Sequence, residues 1–274
     1  MIAVDGALMS ETLYGPLVAV ALLAAWRMLD RPGPWIALGT GAAIALAALT
    51  RSEALLLLVV LAWPAAWRGG PGWPLRAALA TLACALVLAP WAIRNADRFD
   101  AFVPVSTNDS TVLAGANCPL TYYGVDLGGW NIECISARRR DNEAEQAAIW
   151  RREATDYARD HVGRLPVVGA VRLLRVWDLW QPRRQVMFAE GRQRRVEQAG
   201  VAVYFAFLVL GALGAVALHR RGVTLLVLLA PAVAVCVAAV LGYGVPRLRH
   251  AFEIPLLVLA AAGILRLVDA RRAT

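Results

Sequence analysis

AGVAVYFAFLVLGALGAVAL, residues 199–218, is a twenty-residue stretch without a single charge. At 1.5 Å per residue a helix of that length reaches about 30 Å, the thickness of the hydrocarbon core of a bilayer. His219, Arg220 and Arg221 follow at once, as expected where a helix emerges among headgroups. Working outward, further predominantly apolar runs occupy 12–29, 34–50, 75–93, 223–243 and 251–268, so six spans are read directly. A seventh run, 54–67, is shorter and contains Pro64; by length alone it fits a re-entrant or interfacial segment. The chain is 59% hydrophobic over 274 residues, more than one soluble core requires. The expected fold is all-α: a polytopic membrane helical bundle of about seven transmembrane helices with one large extracytoplasmic loop.

Orientation follows from the arginines, which make up all the basic residues because the chain has no lysine. If all seven runs cross, Arg27, Arg31, Arg68, Arg76, Arg220, Arg221, Arg266, Arg271 and Arg272 share one side, while the short loops opposite hold Arg51, Arg247 and Arg249. The richer side is cytoplasmic by the positive-inside rule. The long segment 94–198 is exempt from that rule, since long loops cross largely regardless of charge, and is expected outside. Three regions result: 1–93 with four helices, 94–198 as the extracytoplasmic loop, and 199–274 with three helices, in a multi-pass protein of the plasma membrane. This orientation places a tail with Asp5 and Glu11, and no positive charge, outside the cell. A signal peptide carries its basic residues before the apolar stretch, so an upstream membrane helix is expected to precede this chain.

Within the loop, Ala147, Trp150, Ala154, Tyr157 and Ala158 recur at spacings of three and four, which predicts an amphipathic helix over 141–161. Gly163 and Pro166 end it, and a second helix runs to Trp180 with Arg172, Arg175 and Asp178 as a narrow polar stripe. Such a helix is expected in the headgroup plane, anchored by Trp177 and Trp180. Cys84 and Cys236 lie in apolar runs and read as small core residues. Cys118 and Cys134 flank Gly-rich turns in the loop, where an oxidising compartment favours a disulfide over two free thiols.

The net charge of +8 does not indicate nucleic acid, because the arginines flank apolar spans and form no soluble basic face. Arg138, Arg139 and Arg140 read as a solvated or headgroup-facing patch. The three histidines, His161, His219 and His250, are dispersed and give no metal-site pattern. Asn108-Asp109-Ser110 matches a glycosylation acceptor, a pattern common by chance. More informative are ionisable groups at membrane depth, which cost about 2.5–3.5 kcal/mol each at a helix centre. Glu11 enters the first span, Arg51 and Glu53 sit in a tight turn, Arg94 and Asn95 leave the fourth span, and Arg247 and Arg249 precede the last with His250 and Glu253. All belong to the outer face. Guanidinium forks bind phosphate oxygens by paired hydrogen bonds and a carboxylate can orient or deprotonate a hydroxyl, so the set fits a phosphorylated lipid.

The outer-face strings are SETLY at 10–14, LTRSEALLLL at 49–58, APWAIRN at 89–95, FVPVSTNDS at 102–110, GANCPLTYYG at 115–124 and YGVPRLRHAFEIPLLVL at 243–259. In this order they resemble the GT-C superfamily of membrane glycosyltransferases, nearest the bacterial family 39 and 83 branch of mannosyltransferase-like and aminoarabinose-transferase-like enzymes. The resemblance implies transfer of a sugar from a polyprenyl-phosphate-linked donor to an envelope acceptor, with membrane lipids as surroundings and without nucleic acid. It places the reacting acidic residue in a loop upstream of Glu11, so the catalytic residue is unassigned. It implies that Glu11 faces the cavity, that Arg51 and Glu53 shape it, that Arg94 and Asn95 sit at its mouth, and that Arg247 and Arg249 hold the carrier phosphate. No cofactor is assigned; a divalent metal held by carboxylates occurs in some relatives. The rival readings are a non-catalytic membrane protein, such as a truncated product or a transporter or flippase of lipid-linked sugars, and an O-antigen-ligase-like transferase. A transporter calls for broken or polar helices at the midplane, whereas here the charges collect at one rim.

Overall fold

The computed structural model describes residues 10–135, 142–182 and 194–272; Asp5 and the Arg138 to Arg140 run lie outside them. Among the described residues every regular element is helical. The principal helices are α1 (Glu11–Asp30), α2 (Pro34–Thr50), α3 (Trp63–Arg68), α4 (Trp73–Phe99), α5 (Asn108–Ala116), α6 (Glu143–Asp160), α7 (Leu165–Val176), α8 (Arg194–Arg220), α9 (Leu226–Leu241) and α10 (His250–Arg272).

Four helices are long and apolar enough to cross a membrane: Glu11–Asp30, Trp73–Phe99, Gln198–Arg220 and Pro246–Arg272. α2 and α9 are apolar but shorter, at 17 and 16 residues. The 54–67 run is not a continuous α-helix. It is a 3-10 turn Ser52–Leu55, a π-turn Leu58–Ala62 and then α3. Pro64 has no N–H to return to the carbonyl four residues back, and the Trp63 N–H reaches past the α-register to the Leu58 carbonyl. α4 also runs further than its apolar stretch, so Arg94 and Asn95 lie inside its last turns instead of in a loop.

α2 packs against α1 and α4, and α8 against α10, with α9 held between α10 and α7. The contact surfaces are built from small side chains: Ala21, Ala25, Ala37, Ala47 and Ala48 have no exposed surface. A Cβ on Gly214 would stand 1.8 Å from the Leu259 carbonyl oxygen, and one on Gly263 would stand 2.1 Å from that of Leu210. These two glycines let the α8 and α10 backbones touch, the kind of close approach on which helix association in lipid relies. The large apolar side chains point the other way, with Leu13 63%, Leu86 62% and Val209 64% exposed. A surface of that kind is stable against acyl chains rather than water.

The segment between α4 and α8 is well structured over its described part. α6 packs on α5 through Ala144, Ala147 and Ala154, and the Cys118 and Cys134 sulfurs are bonded with their Cα atoms 6.0 Å apart. α7 departs from the expected headgroup-plane arrangement. Its polar stripe is turned inward: Arg172 is 3% exposed and Asp178 3%, and Trp177 packs edge-on to Phe252 at 5.7 Å. The stripe does not meet headgroups because carbonyls at two helix ends take up its donors. Arg172 donates to the Val240 carbonyl at 2.8 Å and the Ala116 carbonyl at 2.7 Å, near the C-termini of α9 and α5, where unpaired carbonyls and the helix dipole favour a cation. Arg175 donates to the carbonyls of Gly244 and Leu127, both at 3.3 Å.

Candidate functional site

Three chain segments converge at one rim of the bundle. Glu11 opens α1, where the helix N-terminus favours a carboxylate, yet its side chain has no exposed surface. α2 ends at Arg51, whose extended backbone (φ −150°, ψ 117°) breaks the helix and starts the Ser52–Leu55 turn. That turn brings Arg51 and Glu53 into an ion pair, and the Arg51 guanidinium also reaches Glu11. Arg247 arrives from the 3-10 turn Pro246–Arg249 before α10 and engages Glu11 with two nitrogens: its Nε donates to Oε1, and its Nη2 donates to Oε2 at 3.1 Å. Ser10 Oγ donates to Glu11 Oε2 at 3.3 Å.

Two guanidiniums and two carboxylates make a formally neutral network. Burial opposes the charge on Arg51, but Glu53 and Glu11 outweigh it and hold the Arg51 pKa above its ordinary value. Pairing is what makes the burial tolerable, because an isolated ion here would carry a desolvation penalty of several kcal/mol. The network is partly exposed at its edge: the Arg247 side chain is 30% exposed and Glu53 20%, against 13% for Arg51. Behind it, Tyr14 lies under the Arg51 guanidinium at 5.8 Å from its ring centre and faces the His250 ring at 6.3 Å. His250 Nδ1 stands 3.5 Å from Glu253 Oε2.

The other expected site residues are placed apart. Arg249, two positions from Arg247, turns to the opposite side of its 3-10 turn, pairs with the buried Asp178 and lies 3.7 Å over the Tyr204 ring. It ties α10 to the end of α7 and to α8, so the two arginines do not form one phosphate grip. Arg94 makes local contacts, lying 4.8 Å over the Trp91 ring and donating to Asn95 Oδ1 at 3.1 Å. Asn95 is 2% exposed and donates to the Val103 carbonyl at 3.1 Å, which fixes the chain as it leaves α4. The Glu11 rim is instead joined to the loop by Ser52, which donates to Asp109 Oδ1 at 2.9 Å.

Sequence reasoning did not single out Tyr14 or the Ser52 and Asp109 pair. Tyr14 had a signal, since it stands three positions after Glu11 and so shares its helix face. The Ser52 contact spans 57 residues and has no local signature. Among the described residues no group of three or more His, Cys, Asp or Glu side chains gathers as a metal site needs. Glu11 and Glu53 are both engaged by Arg51, so the donor set does not fit the divalent metal allowed by the resemblance. No family model, curated protein or solved structure matches the chain.

Proposed function

We propose that this chain forms the membrane-embedded, outer-face part of a GT-C-type glycosyltransferase of the plasma membrane, which moves a sugar from a polyprenyl-phosphate donor to an envelope acceptor. In this reading α2, the 54–67 segment and α9 cross with the four long helices. The segment between α4 and α8 lies outside the cell. The observation that carries the reading is the convergence on Glu11 of Arg51 and Arg247, 40 and 236 residues away in sequence. Arg247 presents its fork to two carboxylate oxygens, and two phosphate oxygens have the spacing to take their place.

The acceptor hydroxyl attacks the anomeric carbon, the bond from that carbon to the phosphate oxygen breaks, and the phosphate leaves with the electron pair. Arg247 and Arg51 stabilise the growing negative charge. The hydroxyl proton passes to a carboxylate base, the residue that the resemblance leaves unassigned. Because the network is neutral as it stands, phosphate must displace Glu11 to bind. Glu11 is thus a competitor that keeps the arginines paired in the absence of donor.

The test is binding of a polyprenyl phosphate to the full chain in nanodiscs, compared between wild type and the Arg51→Gln, Arg247→Gln double variant. Loss of two charge-assisted contacts of about 1.5–3 kcal/mol each should weaken binding at least about a hundredfold. Unchanged binding in a folded double variant dismisses the reading. A non-catalytic role for the cluster, as an ion-pair clamp between helices, is favoured by the complete burial of Glu11. Glu11→Gln separates the two: as a competitor its removal tightens polyprenyl-phosphate binding, whereas as a clamp its removal lowers the melting temperature and no phosphate binds.

A further inference from the structure

We infer that the end of the bundle opposite Glu11 carries a binding site for an anionic glycerophospholipid. A cavity of about 460 Å³ lies between the end of α3, the turn joining α8 to α9, and the flank of α9. Arg68, His219 and Thr224 form its polar end, and Val60, Leu229 and Val233 its apolar walls. Its volume falls within the range of small-molecule sites, about 300–1,000 Å³.

Two features select the occupant. First, the cavity is open to the side where acyl chains lie, with Leu229 38% and Val233 50% exposed on the α9 surface. Thr224 and Val233 are nine positions apart in sequence, which along a helix corresponds to about 13 Å. The cavity therefore has room for a headgroup at one end and the upper half of a chain along its walls. Second, the lining is cationic and offers nothing to a positive headgroup. Arg68 donates to Thr224 Oγ1 at 3.1 Å, which holds the guanidinium at the polar end beside His219. None of the lining residues is acidic, and none is Phe, Tyr or Trp, so a quaternary ammonium finds neither a carboxylate nor one of the ring faces that hold it best. The adjacent Arg220 adds to the positive field, while Arg221 is balanced by Asp269 at 4.0 Å. Basic pockets between membrane helices hold anionic lipid headgroups in this way.

The experiment uses the full chain in detergent, titrated separately with phosphatidylglycerol and phosphatidylcholine, with bound lipid counted by native mass spectrometry. The expected result is retention of phosphatidylglycerol at least about fivefold above phosphatidylcholine, the factor that one cation contributes at a membrane surface. Arg68→Gln should remove that preference. Val233→Trp, which fills the groove from its exposed side and alters no charge, should lower retention of phosphatidylglycerol to the level of phosphatidylcholine. Arg31→Gln removes an exposed arginine outside the lining and should leave retention unchanged. Equal retention of the two lipids overturns the site. So does full retention in a folded Val233→Trp chain, or an Arg31→Gln loss as large as that of Arg68→Gln, which would reduce the effect to general surface charge. Polyprenyl-phosphate binding at the Glu11 rim is measured on the same variants and stays at the wild-type level, so this site and the proposed function can fail independently.

Discussion

Arg51 and Arg247 on one side, and Arg172 and Arg175 on the other, put the same side chain to two uses within one protein. The first pair is neutralised by a carboxylate, Glu11. The second is satisfied by backbone carbonyls at helix ends and turns. In the proposed function another anion replaces that carboxylate and the fold is kept. A carbonyl at the end of a helix has no substitute, and losing its donor leaves buried polar groups unpaired. Arginines that look alike beside apolar segments thus divide, in this reading, into an exchangeable set with its carboxylate partner at a partly exposed rim and a structural set held by carbonyls or, for Arg249, by the buried Asp178.

The comparison is open to direct attack. Its largest effect should come from the exchangeable set: the Arg51→Gln, Arg247→Gln double variant, compared as folded protein, loses at least about a hundredfold in polyprenyl-phosphate affinity. Replacing Cys118 and Cys134 by Ser tests the loop that carries the structural set. The bridge closes a loop with a sequence separation of 16, for which chain entropy gives about 3 kcal/mol, read as a lowered melting temperature under non-reducing conditions.

Arg172→Met should come next, destabilising by about 2 kcal/mol or more because three acceptors, the Ala116 and Val240 carbonyls and Asn117 Oδ1, lose a charged donor. Burial already lowers the pKa of this guanidinium below its ordinary value. In this variant polyprenyl-phosphate affinity should hold while the melting temperature falls. The smallest effect belongs to a pair of neither kind. Arg159 and Asp156 meet at 3.4 Å with side chains 75% and 56% exposed, and Arg159→Ala should shift stability by less than about 0.5 kcal/mol.

The run at 199–218 announces its helix because twenty uncharged residues leave the backbone no polar partner in lipid except itself. The disulfide partners were legible for a different reason, as the two loop cysteines apart from those in apolar runs. The 54–67 run shows the limit of such reading, since hydropathy marks it as apolar but does not register how Pro64 shifts the hydrogen-bond ladder. In the candidate site, Glu11, Arg51, Glu53 and Arg247 stood out because charge beside apolar spans is expensive and therefore conspicuous. Arg249 stood out for the same reason and Asn95 as its polar counterpart beside Arg94; both turned out to serve the packing of α7, α8 and the chain after α4.

By itself, the sequence determined the helical class, the apolar runs among which the four long helices fall and the short list of ionisable residues beside them, because hydrophobic burial and backbone satisfaction in lipid act over windows of neighbouring residues. Only the tertiary structure decided which of those residues meet. Ion pairing acts over a few ångströms in space, and the partners of Glu11 lie 40 and 236 positions away, joined by helix packing that no local pattern encodes.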